Sequence, residues 1–216
     1  MAGRAFIVGD SQAEGAGAYL EKRLVRVGWT VERSAKHGAD SAGVLKLAQQ
    51  QADKIYDLVV VFSGSTAGGA PAAKGIPALF PSAKLYWFGS GPATVIKSLS
   101  TARAVFGKKV TDDKYWFASG EAVARESRNV ELPKLLPASV QYVDWRSLAL
   151  PDAVTQPSGV VFPSLQDGIH VTGSTAAAAF EGANWPPAAP VKLGTLLPLA
   201  LAGAALWWAW RKGWLS

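Results

Sequence analysis

The stretch Arg4-Ala-Phe-Ile-Val-Gly-Asp-Ser-Gln-Ala-Glu-Gly15 decides how the chain is read. Ala5 to Val8 is a short apolar run, as expected of a buried first strand. It stops at Gly9-Asp10-Ser11, and a helical pattern follows. A serine at such a turn exposes its hydroxyl at the carboxyl end of a sheet. It also lies at the positive end of a helix, where developing negative charge is stabilised. A nucleophile is useful there. Asp10 is expected to brace the turn through hydrogen bonds rather than to transfer protons. Glu14 is expected to face solvent or to partner the helix dipole.

Outward from this turn, helices and strands alternate. Ala16, Tyr19, Leu20, Leu24 and Val27 recur at helical spacing across residues 13–27, and Gly28 is placed to stop that helix. Residues 29–33 read as a second strand. A loop over 36–43 opens a helix whose apolar face is Val44, Leu45, Ala48, Ala52 and Ile55. Tyr56-Asp-Leu-Val-Val-Val-Phe62 is continuous and β-branched, as a central parallel strand should be. It ends in Ser63-Gly-Ser-Thr-Ala-Gly-Gly69. Residues 84–88 give a fourth strand, followed by Gly89-Ser-Gly-Pro92. Helices are expected over 93–106 and 113–128, with Asn129 near the end of the second. The fifth strand covers 140–144, and a last helix runs from Thr172 to Phe180.

This order predicts an α/β three-layer sandwich, an approximately five-stranded parallel sheet with helices on both faces. Ligands bind such sheets beyond the carboxyl ends of the strands. Ser11, the Gly38 loop, the 63–69 loop and the Gly89 loop all fall at that edge.

The chain has 216 residues, enough for one domain and an appendage. It has no cysteine, which excludes disulfides, thiolate metal sites and a cysteine nucleophile. Its two histidines, His37 and His170, are too few for a histidine-rich metal site. The net charge of +6 is spread along the chain, and no nucleic-acid-binding motif accompanies it. The first apolar stretch is too short for a signal peptide and runs straight into the Gly-Asp-Ser turn.

The composition changes after residue 182. Residues 183–192, with Trp185-Pro-Pro-Ala-Ala-Pro190, read as a stiff linker. Leu193 to Trp210 is 18 residues without a charge, near the lower limit for a spanning helix. Lys192 flanks one end and Arg211 and Lys212 the other. Trp207, Trp208, Trp210 and Trp214 cluster as an interfacial belt would. The expected organisation is a domain over 1–182, the linker, a transmembrane helix over 193–212 and a tail over 213–216. The partner is then a lipid bilayer, reached through a single-pass C-terminal anchor. The competing reading is a helix buried in a soluble oligomer. Arg211 and Lys212 favour a C-terminus on the positive-inside face, whereas a terminal anchor without a signal peptide would keep the domain in the cytoplasm. An internal membrane of a virus particle is a third setting. The anchor fits a single helix or a homo-oligomer, and no spacing decides between them.

A serine hydroxyl needs a base within hydrogen-bond reach, and the base needs an orienting group. His170 follows Asp167 by three residues, just before a helix. That spacing can put carboxylate and imidazole on one side of a turn, so that Asp167 holds His170 and stabilises its charged form. His37 reads as a loop histidine. The chemistry calls for no cofactor and no metal.

Gly9-Asp10-Ser11 and Asp167-Gly-Ile-His170, the latter continued by Val171-Thr-Gly, together resemble the nucleophile block and the last block of the SGNH (GDSL-type) hydrolase family. The middle, from Tyr86-Trp-Phe-Gly-Ser-Gly-Pro to Tyr142-Val-Asp-Trp-Arg, is similar to SGNH domains encoded by phages and bacteria, and the resemblance covers about residues 5–182. It implies a catalytic set of Ser11, Asp167 and His170. It also implies an oxyanion hole made of the nucleophile's N–H, a glycine N–H and an asparagine side chain. Gly38 fits the glycine, with Gly43 as the fallback. The asparagine block should follow the third strand, where the chain reads Ser63-Gly64-Ser65-Thr66. Gly64 fits that block's glycine, but Ser65 or Thr66 stands where asparagine is expected. The only asparagines are Asn129 and Asn184. Losing one oxyanion donor typically costs about 3–4 kcal/mol, on the order of 100- to 1000-fold in rate.

The expected function is a membrane-anchored serine esterase or acetylesterase acting on ester-bearing cell-envelope glycan or lipid. The alternative is a catalytically weak or inactive SGNH-fold structural or binding protein of a membrane, such as a minor membrane protein of a phage particle.

Overall fold

The computed structural model describes residues 3–63, 69–89, 119–143, 154–156, 159–161 and 180. In chain order the elements are β1 (Arg4–Gly9), α1 (Ser11–Arg26), β2 (Thr30–Ala35), α2 (Ser41–Gln49), β3 (Leu58–Phe62), α3 (Ala70–Leu79), β4 (Lys84–Phe88), α4 (Ser119–Leu135), β5 (Val140–Val143), β6 (Val154–Gln156) and β7 (Gly159–Val161). The first five strands form one sheet in the order β2-β1-β3-β4-β5, with every neighbouring pair parallel. The expected five-stranded parallel sheet is therefore present. β6 and β7 make a separate antiparallel pair that the sequence pattern did not indicate.

Every residue of β3 is buried, because both faces of the sheet are covered. Side chains alternate between those faces. Ala5, Ile7, Leu58, Val60, Phe62, Tyr86 and Phe88 pack with Ala13, Ala16, Leu20 and Leu24 of α1, and with Phe180. Phe6, Val8, Val59, Val61, Leu85 and Trp87 pack with Val44 and Ala48 of α2, Ala72 and Ile76 of α3, and Leu132 of α4. This split follows from handedness. The step from β1 to β2 runs one way across the sheet, and the steps from β2 to β3, β3 to β4 and β4 to β5 run the other. Right-handed crossovers then put α1 on one face and the other three helices on the opposite face. Phe180, helical and fully buried, meets Phe88 edge-on at 5.9 Å on the α1 side.

Several local expectations change. Tyr19 and Val27 lie on the exposed side of α1 or just beyond it, while Ala16, Leu20 and Leu24 carry its buried stripe. α2 ends at Gln49, short of the expected face, so Ala52 is exposed and Ile55 is 78% exposed. α4 continues past Asn129 to Leu135, through Pro133. α3 has no counterpart in the hydrophobic pattern: Ala-Pro-Ala-Ala-Lys-Gly-Ile-Pro-Ala-Leu is rich in small residues and carries two prolines. Pro71 falls at the first turn, where its missing N–H costs nothing. Pro77 sits near the end, where it removes a single intrahelical bond.

Among the described residues, no helix is long and apolar enough to cross a membrane. The linker over 183–192 and the expected anchor over 193–212 lie outside the described residues, as does the helix expected over 93–106.

Candidate active site

β1 delivers Ser11 to the carboxyl edge of the sheet. Gly9 closes the strand, and its backbone lies so close to β3 that a Cβ there would overlap the Phe62 carbonyl oxygen. The same Cβ would lie 2.8 Å from Phe62 Cβ and 2.9 Å from Ala13 Cβ. Only glycine lets β1 turn into α1 over the end of β3. The Asp10 N–H then donates to the Phe62 carbonyl at 3.1 Å, locking the turn to the central strand.

Asp10 is the N-cap of α1 and is 1% exposed. Its carboxylate accepts from the Gln12 N–H at 2.9 Å, and its carbonyl accepts from Ala13 and Glu14. One residue thus satisfies the N–H groups of three positions in the first turn, the bracing role expected of it. Ser11 is the first residue of α1 and half-buried, at the positive end of a 16-residue helix.

The sheet order reverses direction at β1. α1 leaves on one face and α3, after β3, on the other. The crevice between the two connections is the topological switch point of the sheet, the usual place for a ligand. Ser11 lies on its β1 side. On its β3 side, Ser63 is buried; its N–H donates to Phe88 O at 3.3 Å, and its carbonyl accepts from Trp87 Nε1 at 3.1 Å. The chain is thus firmly held where it enters the segment with Gly64, Ser65 and Thr66, which themselves lie outside the described residues.

The connection after β2 lies beside the first turn of α1. Lys36 N–H donates to Gly9 O at 3.1 Å, and Ala39 N–H to Lys36 O at 3.1 Å. The second bond closes a four-residue turn with Gly38 third, at φ +69°, as a type II turn requires. Asp40 follows as the N-cap of α2 and accepts from the Gly43 N–H at 2.8 Å. Gly43 lies within α2, its N–H bonded to the Asp40 carboxylate, whereas Gly38 lies in the turn whose Lys36 and His37 N–H groups bond to Gly9 and Glu14. Glu14 is exposed, and its Oε1 accepts from the His37 N–H at 2.7 Å. His37 Nδ1 lies 3.7 Å from its Oε2. Glu14 therefore does more than face solvent or complement the helix dipole.

At the far side of the edge, Asn129 is 5% exposed and accepts from the Tyr142 hydroxyl at 3.1 Å, both groups lying against Gly89. Asn129 thus braces the ends of β4 and β5. The signal for it in the sequence was a single amide within an amphipathic helix, which does not say what it meets. A cleft of about 230 Å³ opens nearby between the start of α3 and α4, lined by Gly69, Ala70, Arg128, Leu132 and Leu135 among others. Neither Ser11 nor Gly38 lines it. Asp167 and His170 lie outside the described residues. The structure thus brings Ser11, Asp10, Glu14, His37 and Gly38 to one place.

No protein-family model and no curated protein matches the sequence. Solved structures do match the fold. The extracellular lipase of Streptomyces rimosus is similar over 82% of this chain and 96% of its own, at 13% identity and a TM-score of 0.53. The periplasmic domain of the lipopolysaccharide acetyltransferase of Salmonella ser. Paratyphi A is similar over 82% of this chain and 80% of its own, at 14% identity and a TM-score of 0.50. A member of the lipolytic G-D-S-L family from Veillonella parvula is similar over 84% of this chain and 96% of its own, at 11% identity and a TM-score of 0.50. The chain has the SGNH (GDSL-type) hydrolase fold. Its structural neighbours over most of the length include lipases, a lipolytic protein and an acetyltransferase domain.

Proposed function

We propose that the protein is a serine esterase that uses Ser11 as nucleophile, with His170 as base and Asp167 as the group orienting it. The observation that carries this reading is the position of Ser11: half-buried, first in α1, capped by Asp10, at the switch point of an SGNH-type sheet. In the first step the Ser11 hydroxyl oxygen bonds to the ester carbonyl carbon, and His170 takes the hydroxyl proton. The N–H groups of Ser11 and Gly38 receive the oxyanion, with Ser65 or Thr66 supplying a hydroxyl where the family uses an amide. The carbon–oxygen bond to the alcohol breaks, and that alcohol leaves with the proton from His170. Water then bonds to the acyl carbon as His170 takes its proton; the bond from that carbon to the Ser11 oxygen breaks, the carboxylic acid leaves, and His170 returns the proton to Ser11. An alcohol in place of water would make the same site an acyltransferase, the activity named for the Salmonella neighbour.

The substrate we assign is an acetyl or short acyl ester on cell-envelope glycan or lipid, presented to a domain held at a cellular or viral membrane by residues 193–212. The uncharged, Trp-bordered C-terminal run supports that setting. Hydrolysis of p-nitrophenyl acetate and of acetylated glycan by detergent-purified protein tests the reading, and wild-type protein without either activity would contradict it. The absence of an asparagine after β3 favours a second reading, an inactive structural or binding protein of a membrane. Full biological function in a Ser11→Ala variant would support that alternative.

A further inference from the structure

We infer that Glu14 is a positioning residue for the oxyanion site: its carboxylate holds the turn that presents the Gly38 N–H to Ser11. The inference rests on the esterase reading above. Lys36, His37 and Gly38 are all exposed, so their peptide planes are not set by burial in the core. Two hydrogen bonds tie them to the nucleophile element instead. Lys36 N–H reaches Gly9 O at 3.1 Å, two residues before Ser11, and His37 N–H reaches Glu14 Oε1 at 2.7 Å, three residues after it. The turn therefore hangs from both sides of the serine. Its central peptide, His37–Gly38, carries the candidate oxyanion donor. In a type II turn that peptide is rotated by about half a turn relative to a type I turn. The bond from Glu14 grips the neighbouring peptide and resists that rotation. A carboxylate is a strong acceptor for the purpose, since charge-assisted hydrogen bonds are shorter and stronger than neutral ones.

The decisive comparison is Glu14→Ala, which removes the acceptor, against Glu14→Gln, which keeps an acceptor oxygen at the same reach. With p-nitrophenyl acetate, Glu14→Ala should lose roughly tenfold in kcat with KM within about twofold. That is less than the 100- to 1000-fold typical of deleting an oxyanion donor outright. Its melting temperature should fall by no more than about 4 °C, and amide hydrogen exchange at His37 should accelerate. Glu14→Gln should recover most of the loss and the protection at His37. Glu14→Ala activity equal to wild type, or an equal loss in Glu14→Gln, overturns the inference while leaving the esterase reading in place. A gain in both variants overturns it too, by showing that only the negative charge near the oxyanion mattered. Wild-type protein that neither hydrolyses the ester nor is labelled at Ser11 by a fluorophosphonate removes the esterase reading, and the inference falls with it.

Discussion

The two ends of the same sheet are built in opposite ways. At the amino edge, charges and rings close on one another. Glu32 receives Arg4 Nη2 at 2.8 Å and Lys54 Nζ at 2.6 Å, and Asp57 accepts from the Arg4 N–H at 2.8 Å. The Arg4 guanidinium lies over the Tyr56 ring, and Tyr56 stacks on Phe6 at 5.1 Å. Burial pushes the Tyr56 hydroxyl well above its ordinary range, and Glu32 beside it pushes the same way. The Lys54 ammonium, bonded to Glu32, holds that carboxyl below its ordinary range, against the opposing effect of burial, with Arg4 adding to it. At the carboxyl edge there is no comparable ion network among the described residues. Glycines, a capping aspartate and backbone N–H groups surround a serine. One end ties its side chains into an ion network, and the other gathers the Asp10 cap, the Glu14–His37 contact and Ser11 at the mouth of a crevice. Perturbing the first should cost stability, and perturbing the second should cost chemistry.

Gly9→Ala is the change expected to break that division most strongly, because Gly9 both packs against β3 and carries the turn to Ser11. Its Cβ would meet β3 backbone, which cannot yield as a flexible side chain can. A loss of about 2–3 kcal/mol is expected from urea unfolding, with activity falling too as the Ser11 turn shifts. Gly38→Ala separates the two. A Cβ at Gly38 meets nothing within 4 Å, so only the left-handed backbone objects. Stability should fall by about 1 kcal/mol, while kcat falls roughly 100-fold if the turn flips and the donor is lost. A Gly38→Ala variant with full activity would place the oxyanion donor elsewhere.

Asp10→Ala removes the cap and should cost about 1 kcal/mol by chemical unfolding; no change would mean that the Asp10 backbone alone holds the turn. Glu32→Gln is the smallest of the four. Its pair partners are partly exposed, so less than about 1 kcal/mol is expected at pH 7. The depressed carboxyl fixes the sign of the pH dependence. Its stabilisation is present above the ordinary glutamate value of 4.5 and fades as pH falls through the lower folded value. Unfolding curves of Glu32→Gln and wild type should therefore differ at pH 7 and converge in acid, with activity at pH 7 equal in the two.

The sheet was legible because its strands are continuous apolar runs between glycine- and polar-rich turns: Phe6 to Val8 and Leu58 to Phe62 announce burial on both faces. Ser11 was legible for the same reason, since a strand that stops at Gly-Asp-Ser leaves the serine no place but the edge. α3 was not, because Ala72, Ala73 and Ile76 bury a helix face made mostly of methyl groups, between two prolines that argue against any helix. The outward turn of Ile55 was hidden too, since α2 ends where the hydrophobic spacing continues. The Glu14–His37 bond joins residues 23 apart, and no local pattern reports a contact between the first turn of α1 and the loop after β2. Asn129 illustrates the same limit, its role being set by Tyr142 and Gly89 on other elements.

The esterase proposed above requires Ser11 to be a working nucleophile. Purified wild-type protein, Ser11→Ala and His170→Ala should be treated in parallel with a fluorophosphonate probe and with p-nitrophenyl acetate. Labelling and hydrolysis are expected in wild type, with no labelling in Ser11→Ala and at least roughly a 10⁴-fold loss of rate in both variants, the scale seen when one member of a serine triad is removed. Folded wild-type protein that is neither labelled nor active, or labelling that survives Ser11→Ala, would contradict it.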